Sequence, residues 1–298
     1  MAQDSAPRLY PAQVCFVVDD VVGGVEECVS RFGWGPFHEF SVSVPEAHYH
    51  GWSGSKRTDV ALGMAGKVQV ELIHVHEGRD TVAAYQARYG TGFQHLGIHC
   101  RDREKALAAL ESLGGALDDQ NEHEGIRFAF VDTPTGPGMF ELLHVTTPPS
   151  DQAANEAPAG DAAPAPDPSV ILDRATIVTD DLERALAFYA PAFGWSDVRA
   201  EPRTIRFGTK ESPVRRARGK AGALLLELIE PLAGSDDPYS RQLLRGDHGL
   251  VHAGGVARKG IFPEGAALEG EWLEDGETFS LHEWAGGPSA LQLRSDSS

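Results

Sequence analysis

Apolar residues along this chain fall in short alternating or continuous stretches, each bounded by glycine, proline or a polar cluster. In the N-terminal part, AQVCFVVDD predicts a strand over residues 12–18. An amphipathic helix follows over 20–32, with Asp19 or Asp20 as its N-cap and Gly33 at its end. Strands are then predicted near 36–43, 58–64 and 68–76. The order restarts with a strand over 93–100, a helix over 102–113 between Asp102 and Gly114, and strands near 116–119, 126–131 and 138–146. Each half therefore reads β-α-β-β-β.

Apolar periodicity stops at about residue 147, where TTPPSDQAANEAPAGDAAPAPDPS gives a Pro-, Ala- and Asp-rich linker. Beyond it the same element order returns. ATIVTDDLERALAFYAPAFGW, from Ala175, echoes VCFVVDDVVGGVEECVSRFGW, from Val14: an apolar strand, an Asp-Asp pair, an amphipathic helix and then Phe-Gly-Trp. An internal duplication is the simplest account. The expected organisation is a first module over 1–147, a linker over 148–168 and a second module over 169–298, all of α+β class.

Composition narrows the function classes. With 298 residues, 41% of them hydrophobic, the chain is long enough for two packed modules. A formal charge of -18 and a pI near 5.0 repel phosphate backbones and anionic lipid, which disfavours nucleic-acid and membrane-surface partners. No apolar run approaches the roughly 18 to 20 residues of a membrane helix. MAQDSAPRLY lacks the basic and apolar regions of a signal peptide, so a cytoplasmic protein is expected. Cys15, Cys28 and Cys100 are sparse and lie in apolar patterns, and all three read as reduced packing residues.

Four strands of the first module each carry one potential metal ligand on a common face: Gln13, Glu71, His95 and Glu141. Alternate side chains of a strand share a face, so Gln13 stands with Cys15 and Val17, while Val14, Phe16 and Val18 point the other way. By the same count Glu71 stands with Ile73, His95 with Gly97 and His99, and Glu141 with Met139 and Leu143. One imidazole, two carboxylates and an amide oxygen, completed by water, suit one divalent ion from the set Zn, Ni, Co, Mn and Mg. Two β-α-β-β-β halves facing each other would bring the four groups into one concave sheet. Taken singly, each has a plainer reading, since a strand glutamate usually faces water and a lone strand histidine is more often structural.

The strands VELIHVHEG and GFQHLGIHC, the finish FAFVDTPTGPGMFELLHV, and the aspartate seven positions after Gln13 resemble the vicinal oxygen chelate superfamily. That superfamily includes glyoxalase I, methylmalonyl-CoA epimerase, extradiol dioxygenases and bleomycin-resistance proteins. The resemblance covers both modules and implies paired βαβββ motifs forming half-barrel mixed sheets. The order Gln, Glu, His, Glu looks most like glyoxalase I. It implies a metal that polarises a carbonyl with a second oxygen nearby and stabilises an enediolate-like intermediate, with Glu71 or Glu141 as both ligand and base. The glyoxalase arginines and asparagine that hold glutathione are replaced here by residues such as Val17, Val75 and Thr91, so glutathione is not the expected substrate.

Aligned by the same motifs, the second module carries Arg174, Glu227, His252 and Gln292 at the four positions, and a fixed positive charge stands where a cation would sit. It is expected to be a degenerate partner, with Arg174 able alternatively to hold an anionic group of a ligand. Its ARKGIFPEGAALEGEW stretch, broken by Gly and Pro, predicts no helix like that over 102–113. The AHYHGWSGS stretch, residues 47–55, reads as a loop over the site. His99, Tyr49, Trp52, Met139 and Phe40 are candidate pocket residues for a small molecule with vicinal oxygens, with an aromatic or polycyclic one favoured by these rings and by Trp34, Tyr85 and Tyr89. A homodimer is compatible with this reading. The leading function is a metal-dependent isomerase, epimerase or lyase that moves a proton next to a carbonyl. The alternatives are a sequestering protein of the resistance type and, behind it, a ring-cleaving dioxygenase, which lacks its first histidine here.

Overall fold

The structure, a computed structural model, describes residues 9–123, 126–144, 168–207, 210–232, 237–244, 249–257, 268–274, 277–283 and 290–295. The expected linker lies, up to residue 167, outside these, as does the stretch over 258–267 where no helix was expected. Two eight-stranded mixed sheets form an α+β fold of two curled half-barrels. The first contains β1 (Tyr10–Val17), β2 (His38–Tyr49), β3 (Trp52–Ala65), β4 (Val68–Glu77), β5 (Gly92–Cys100), β6 (Ala116–His123), β7 (Ile126–Thr133) and β8 (Gly136–His144). Their spatial order is β2-β3-β4-β1-β5-β8-β7-β6. The second contains β9 (Val170–Val178), β10 (Glu201–Phe207), β11 (Lys210–Ala221), β12 (Leu224–Pro231), β13 (Gly249–Ala257), β14 (Leu268–Glu274), β15 (Glu277–Glu283) and β16 (Ala290–Ser295). Its order, β10-β11-β12-β9-β13-β16-β15-β14, repeats the first position by position.

The capping residues read from sequence start and stop the helices. Asp20 accepts from the Val22 and Gly23 amides at the head of α1 (Val21–Glu27). That helix runs on as a π turn over Cys28–Phe32 and ends at Gly33, in the left-handed region at φ 66°. Asp102 caps α3 (Arg103–Ser112). One helix was not expected: α2 (Thr81–Tyr89), capped by Asp80, buries only Thr81 and Val82 and so shows little apolar stripe in the sequence. In the second module α4 (Leu182–Phe193) and α5 (Pro238–Leu244) follow β9 and β12.

The 47–55 stretch is not a loop. It is the tip of the β2–β3 hairpin, turning at His50 and Gly51 with φ of 46° and 80°, and Tyr49 pairs with Trp52 across it. The Tyr49 hydroxyl donates to Asp118 at 3.3 Å, and His50 Nε2 meets the same carboxylate at 2.8 Å. Asp118 lies on β6, the opposite edge of the sheet, so the tip ties the two edges together and closes the curl.

The outer faces of the sheets pack into one apolar core shared by both modules. Phe140 of β8 stands against Phe188, Tyr189 and Phe193 of α4, with ring centroids 6.1, 5.8 and 5.8 Å apart. Trp34 Nε1 donates to the Val170 carbonyl at 2.8 Å, so this tryptophan is an intermodule residue rather than a pocket wall. Phe140→Ala is expected to cost about 3–5 kcal/mol of stability, because the fully buried ring leaves a cavity between modules that cannot collapse independently. Urea unfolding followed by intrinsic fluorescence checks it.

Candidate metal centre

Strand register assembles the site. On β1, Cys15 pairs with Glu71 of β4 on one side and with His95 of β5 on the other. Gln13, two residues back, pairs with Gln69 and Gly97, and Gly97 in turn pairs with Glu141 of β8. Residues 13 and 15 face the same way, so two adjacent cross-strand rows deliver Gln13, Glu71, His95 and Glu141 to one interior patch. His95 Nε2 lies 3.2 Å from Glu71 Oε2 and 3.4 Å from Glu141 Oε2. Gly97 makes room for this: a Cβ there would come within 2.1 Å of Gln13 Oε1. Gln13 Nε2 donates to Gln69 Oε1 at 3.0 Å, which fixes the amide and leaves its oxygen as the free donor atom.

The electrostatics are those of crowded carboxylates around a buried imidazole. Burial alone would lower the His95 pKa, but Glu141 and Glu71 outweigh it and push it up to about 9. Burial raises the Glu141 carboxyl above the usual carboxylate range, against the pull of His95. Gln13 Oε1, Glu71 Oε2 and His95 Nε2 are all buried without a hydrogen-bond partner. Buried polar atoms left in this state are costly, and a divalent cation among them would satisfy all three. One nitrogen with oxygen donors fits a borderline or hard divalent ion. The residues present therefore fit the metal that the fold implies.

Two residues of the site were not read as functional from sequence. Gln94 Oε1 accepts from His95 Nδ1 at 2.5 Å, and its Nε2 donates to the Gly138 carbonyl at 3.0 Å. With the proton on Nδ1, the Nε2 lone pair is turned toward the carboxylates. Strict alternation puts Gln94 on the outer face, but the β1–β5 register slips between Cys15 and Phe16 and brings it in. Cys15 is the other. Its Sγ, a Glu71 oxygen and a His95 nitrogen all lie within 4.8 Å of one another. Its place beside Gln13 on the inner face was visible in the alternation, yet its apolar context made it look like packing.

The candidate pocket residues divide. His99 shares the inner face with His95 and Gly97; burial lowers its pKa, and its Nδ1 has no partner. Phe40 shares a face with Val42, which packs into the interior cluster, but it lies on the edge strand at 37% exposure. Tyr49 and Trp52 line a separate cleft of about 310 Å³ at the hairpin tip, with Asp118 and Asp119, and none of the four ligand residues borders it. Met139 is drawn away from the metal patch: its sulfur accepts from Thr133 and Thr135 at 3.3 Å beside Gly249 of the second module. Gly138, at φ 55°, and a register break in β7–β8 next to it interrupt the alternation that would have put Met139 beside Glu141. The wall nearest the ligands is instead Val17, Val60, Ile73, Val75, Val82 and Phe130, whose ring stands edge-on to His95 at 5.1 Å.

In the second module the same register brings Arg174, Gly254 and Gln292 into one row and Glu227, Thr176 and His252 into the other. Glu227 is held below the usual carboxylate range despite its burial, because Arg218, Arg174 and Arg216 surround it; Arg218 Nε donates to it at 2.6 Å. The Arg174 guanidinium lies over the Phe279 ring at 5.2 Å. Burial lowers His252 to about 4, so it is neutral, and Tyr239 of α5 packs against its ring. Guanidinium charge here occupies the place that corresponds to the candidate cation site of the first module.

Residues 12–130 match the family model described as the Glyoxalase/Bleomycin resistance protein/Dioxygenase superfamily. No curated protein matches the chain by sequence. Among solved structures, a triple mutant of 4-hydroxymandelate synthase from Streptomyces coelicolor superposes with a TM-score of 0.62 at 16% identity, over 97% of this chain and 92% of that one. A xylose isomerase-like TIM barrel/4-hydroxyphenylpyruvate dioxygenase fusion protein gives a TM-score of 0.50 at 12% identity, over 97% of this chain and 49% of that one. This chain thus spans about half the length of the fusion, and at these identities the likeness is one of fold. Residues 12–130 thus carry the match to this superfamily, and the second sheet repeats the strand order of that matched module.

Proposed function

We propose that the first module is the active centre of a divalent-metal-dependent isomerase, epimerase or lyase that moves a proton next to a carbonyl of a small oxygenated molecule. The observation that carries this is the pair of carboxylates, Glu71 and Glu141, contributed by opposite halves of the module and both within 3.4 Å of His95 Nε2. Gln13, Glu71, His95 and Glu141 would hold the ion. A divalent cation bound there supplies Lewis-acid polarisation of the substrate carbonyl. One carboxylate then takes the proton from the adjacent carbon, and the other is placed to return one. Gln94 keeps His95 Nε2 aimed inward. The apolar wall from Val17 to Phe130 excludes water and suits a substrate with an aromatic or other apolar part. The arginine-filled second module is proposed as a packing partner without metal.

A second reading, an oxygenase acting on an aromatic substrate, is favoured by the two structural neighbours, a 4-hydroxymandelate synthase and a 4-hydroxyphenylpyruvate dioxygenase fusion. The side chains argue against it. Oxygen-activating non-haem iron is held by two histidines and one carboxylate. Here the corresponding patches offer Gln13, His95 and Glu141 in one module and Arg174, His252 and Gln292 in the other. The proposed setting is cytoplasmic, with a small molecule rather than nucleic acid or membrane as partner, in keeping with the charge of -18. Among the described residues no helix is long and apolar enough to cross a membrane.

The test is exchange in deuterated water with a panel of small aryl carbonyl compounds bearing a neighbouring oxygen. The metal-loaded protein is expected to wash deuterium into the carbon next to the carbonyl, seen by NMR, while an oxygen electrode records no consumption. Oxygen uptake coupled to turnover would overturn this reading in favour of the oxygenase.

A further inference from the structure

We propose that Cys15 is a direct ligand of the metal centre, adding a sulfur donor to Glu71 and His95 and turning the site's preference from Mg²⁺ and Mn²⁺ toward Zn²⁺ and Co²⁺. This rests on the metal-centre reading above and deepens it. Cys15 stands on the central strand of the sheet, as the immediate cross-strand partner of both Glu71 and His95. Its side chain is fully buried, and Sγ, a Glu71 oxygen and the imidazole nitrogen lie within 4.8 Å of one another. Zinc-type bonds of about 2.3 Å to sulfur and about 2.0–2.2 Å to nitrogen and oxygen place ligand atoms roughly 3–4 Å apart. A modest inward turn of these side chains closes the set around one ion. Glu71 Oε2 and His95 Nε2, both buried and lacking a hydrogen-bond partner, stand 3.2 Å apart.

The other two cysteines are placed differently. Cys28 sits in the outer core on the π turn, and Cys100 Sγ donates to the Leu143 carbonyl at 3.5 Å. In the second module the residue at the Cys15 position is Thr176, bonded to Glu227 Oε2 at 3.2 Å, so the sulfur donor is lost together with the room for a cation. In the first module, entry of the metal breaks the S–H bond, releases the proton to solvent and forms a sulfur–metal bond, with no change of oxidation state. Thiolate is a soft donor that favours Zn²⁺ and its neighbours, whereas an all-oxygen set favours Mg²⁺ or Mn²⁺.

The experiment is titration of the full chain with Co²⁺, read by absorbance. An intense near-ultraviolet sulfur-to-cobalt charge-transfer band is expected, lost in C15S and kept in C28S and C100S. Should C15S not fold, the C28S/C100S double variant, with a single thiol left, carries the assignment. Competition between Zn²⁺ and Mg²⁺ is expected to shift toward Mg²⁺ by at least about 10²-fold in C15S. Stoichiometric cobalt with only weak d–d absorption overturns the role of Cys15 and leaves the metal centre standing. Failure of the chain to bind cobalt at all overturns both.

Discussion

His95→Ala is expected to empty the metal centre, while His252→Ala leaves metal content unchanged, so that elemental analysis reads one ion per wild-type chain and none in the first variant. His95 is the one nitrogen donor among the four candidate ligands, and Gln94 holds its Nε2 toward Glu71 and Glu141. Alanine removes that donor and leaves two carboxylates with nothing to orient them, a loss of at least about 10² in affinity. His252 has the same strand position but faces arginines, and the cationic side chains there already neutralise Glu227. Two ions per wild-type chain would overturn this division of labour. The pH dependence has a definite sign. His95 stays protonated up to about 9 in the metal-free site. Below that pH an entering cation must displace this proton together with that of Cys15, so apparent affinity falls with falling pH by roughly tenfold per unit for each proton displaced. Isothermal titration in buffers of different ionisation heat measures the displaced protons directly.

Much of this architecture was legible in the chain because period-2 alternation and capping residues are local signals. The strand starting near Gln13, the caps Asp20 and Asp102, and the glycine stop at Gly33 all stand where they were read. The duplicated β-α-β-β-β order predicted the two rows that hold Gln13, Glu71, His95 and Glu141, since their positions follow from register once the halves face each other. What stayed hidden depends on breaks in regularity. Gln94 enters the site through a register slip, and Met139 leaves it through a turn at Gly138. The β2–β3 tip looked like a loop because Gly and Ser are poor strand formers, yet pairing from Ala47 through Gly54 keeps it in the sheet.

Fold and chemistry diverge in an instructive way. Both named structural neighbours share the two-sheet layout, but layout does not set the reaction; the side chains at the four strand positions do. In this chain the sequence has kept donor groups at those positions in one module and replaced two of them, by Arg174 and Gln292, in the other.

Glu71→Gln and Glu141→Gln are each expected to retain much of the bound metal yet lose turnover by on the order of 10² or more. Glutamine keeps an oxygen donor at the same reach and so preserves the metal set, but an amide cannot accept the substrate proton at neutral pH. The two variants are not equivalent. Burial raises the Glu141 carboxyl, so it holds a proton more readily at neutral pH and is suited to returning one to the substrate. If Glu71 removes the proton and Glu141 returns it, Glu71→Gln abolishes both deuterium wash-in and product formation. Glu141→Gln would then still wash deuterium into recovered substrate while forming little product. Opposite behaviour would exchange the two roles. Full turnover in both variants would leave this site with binding alone, and the protein with the sequestering function instead of a catalytic one.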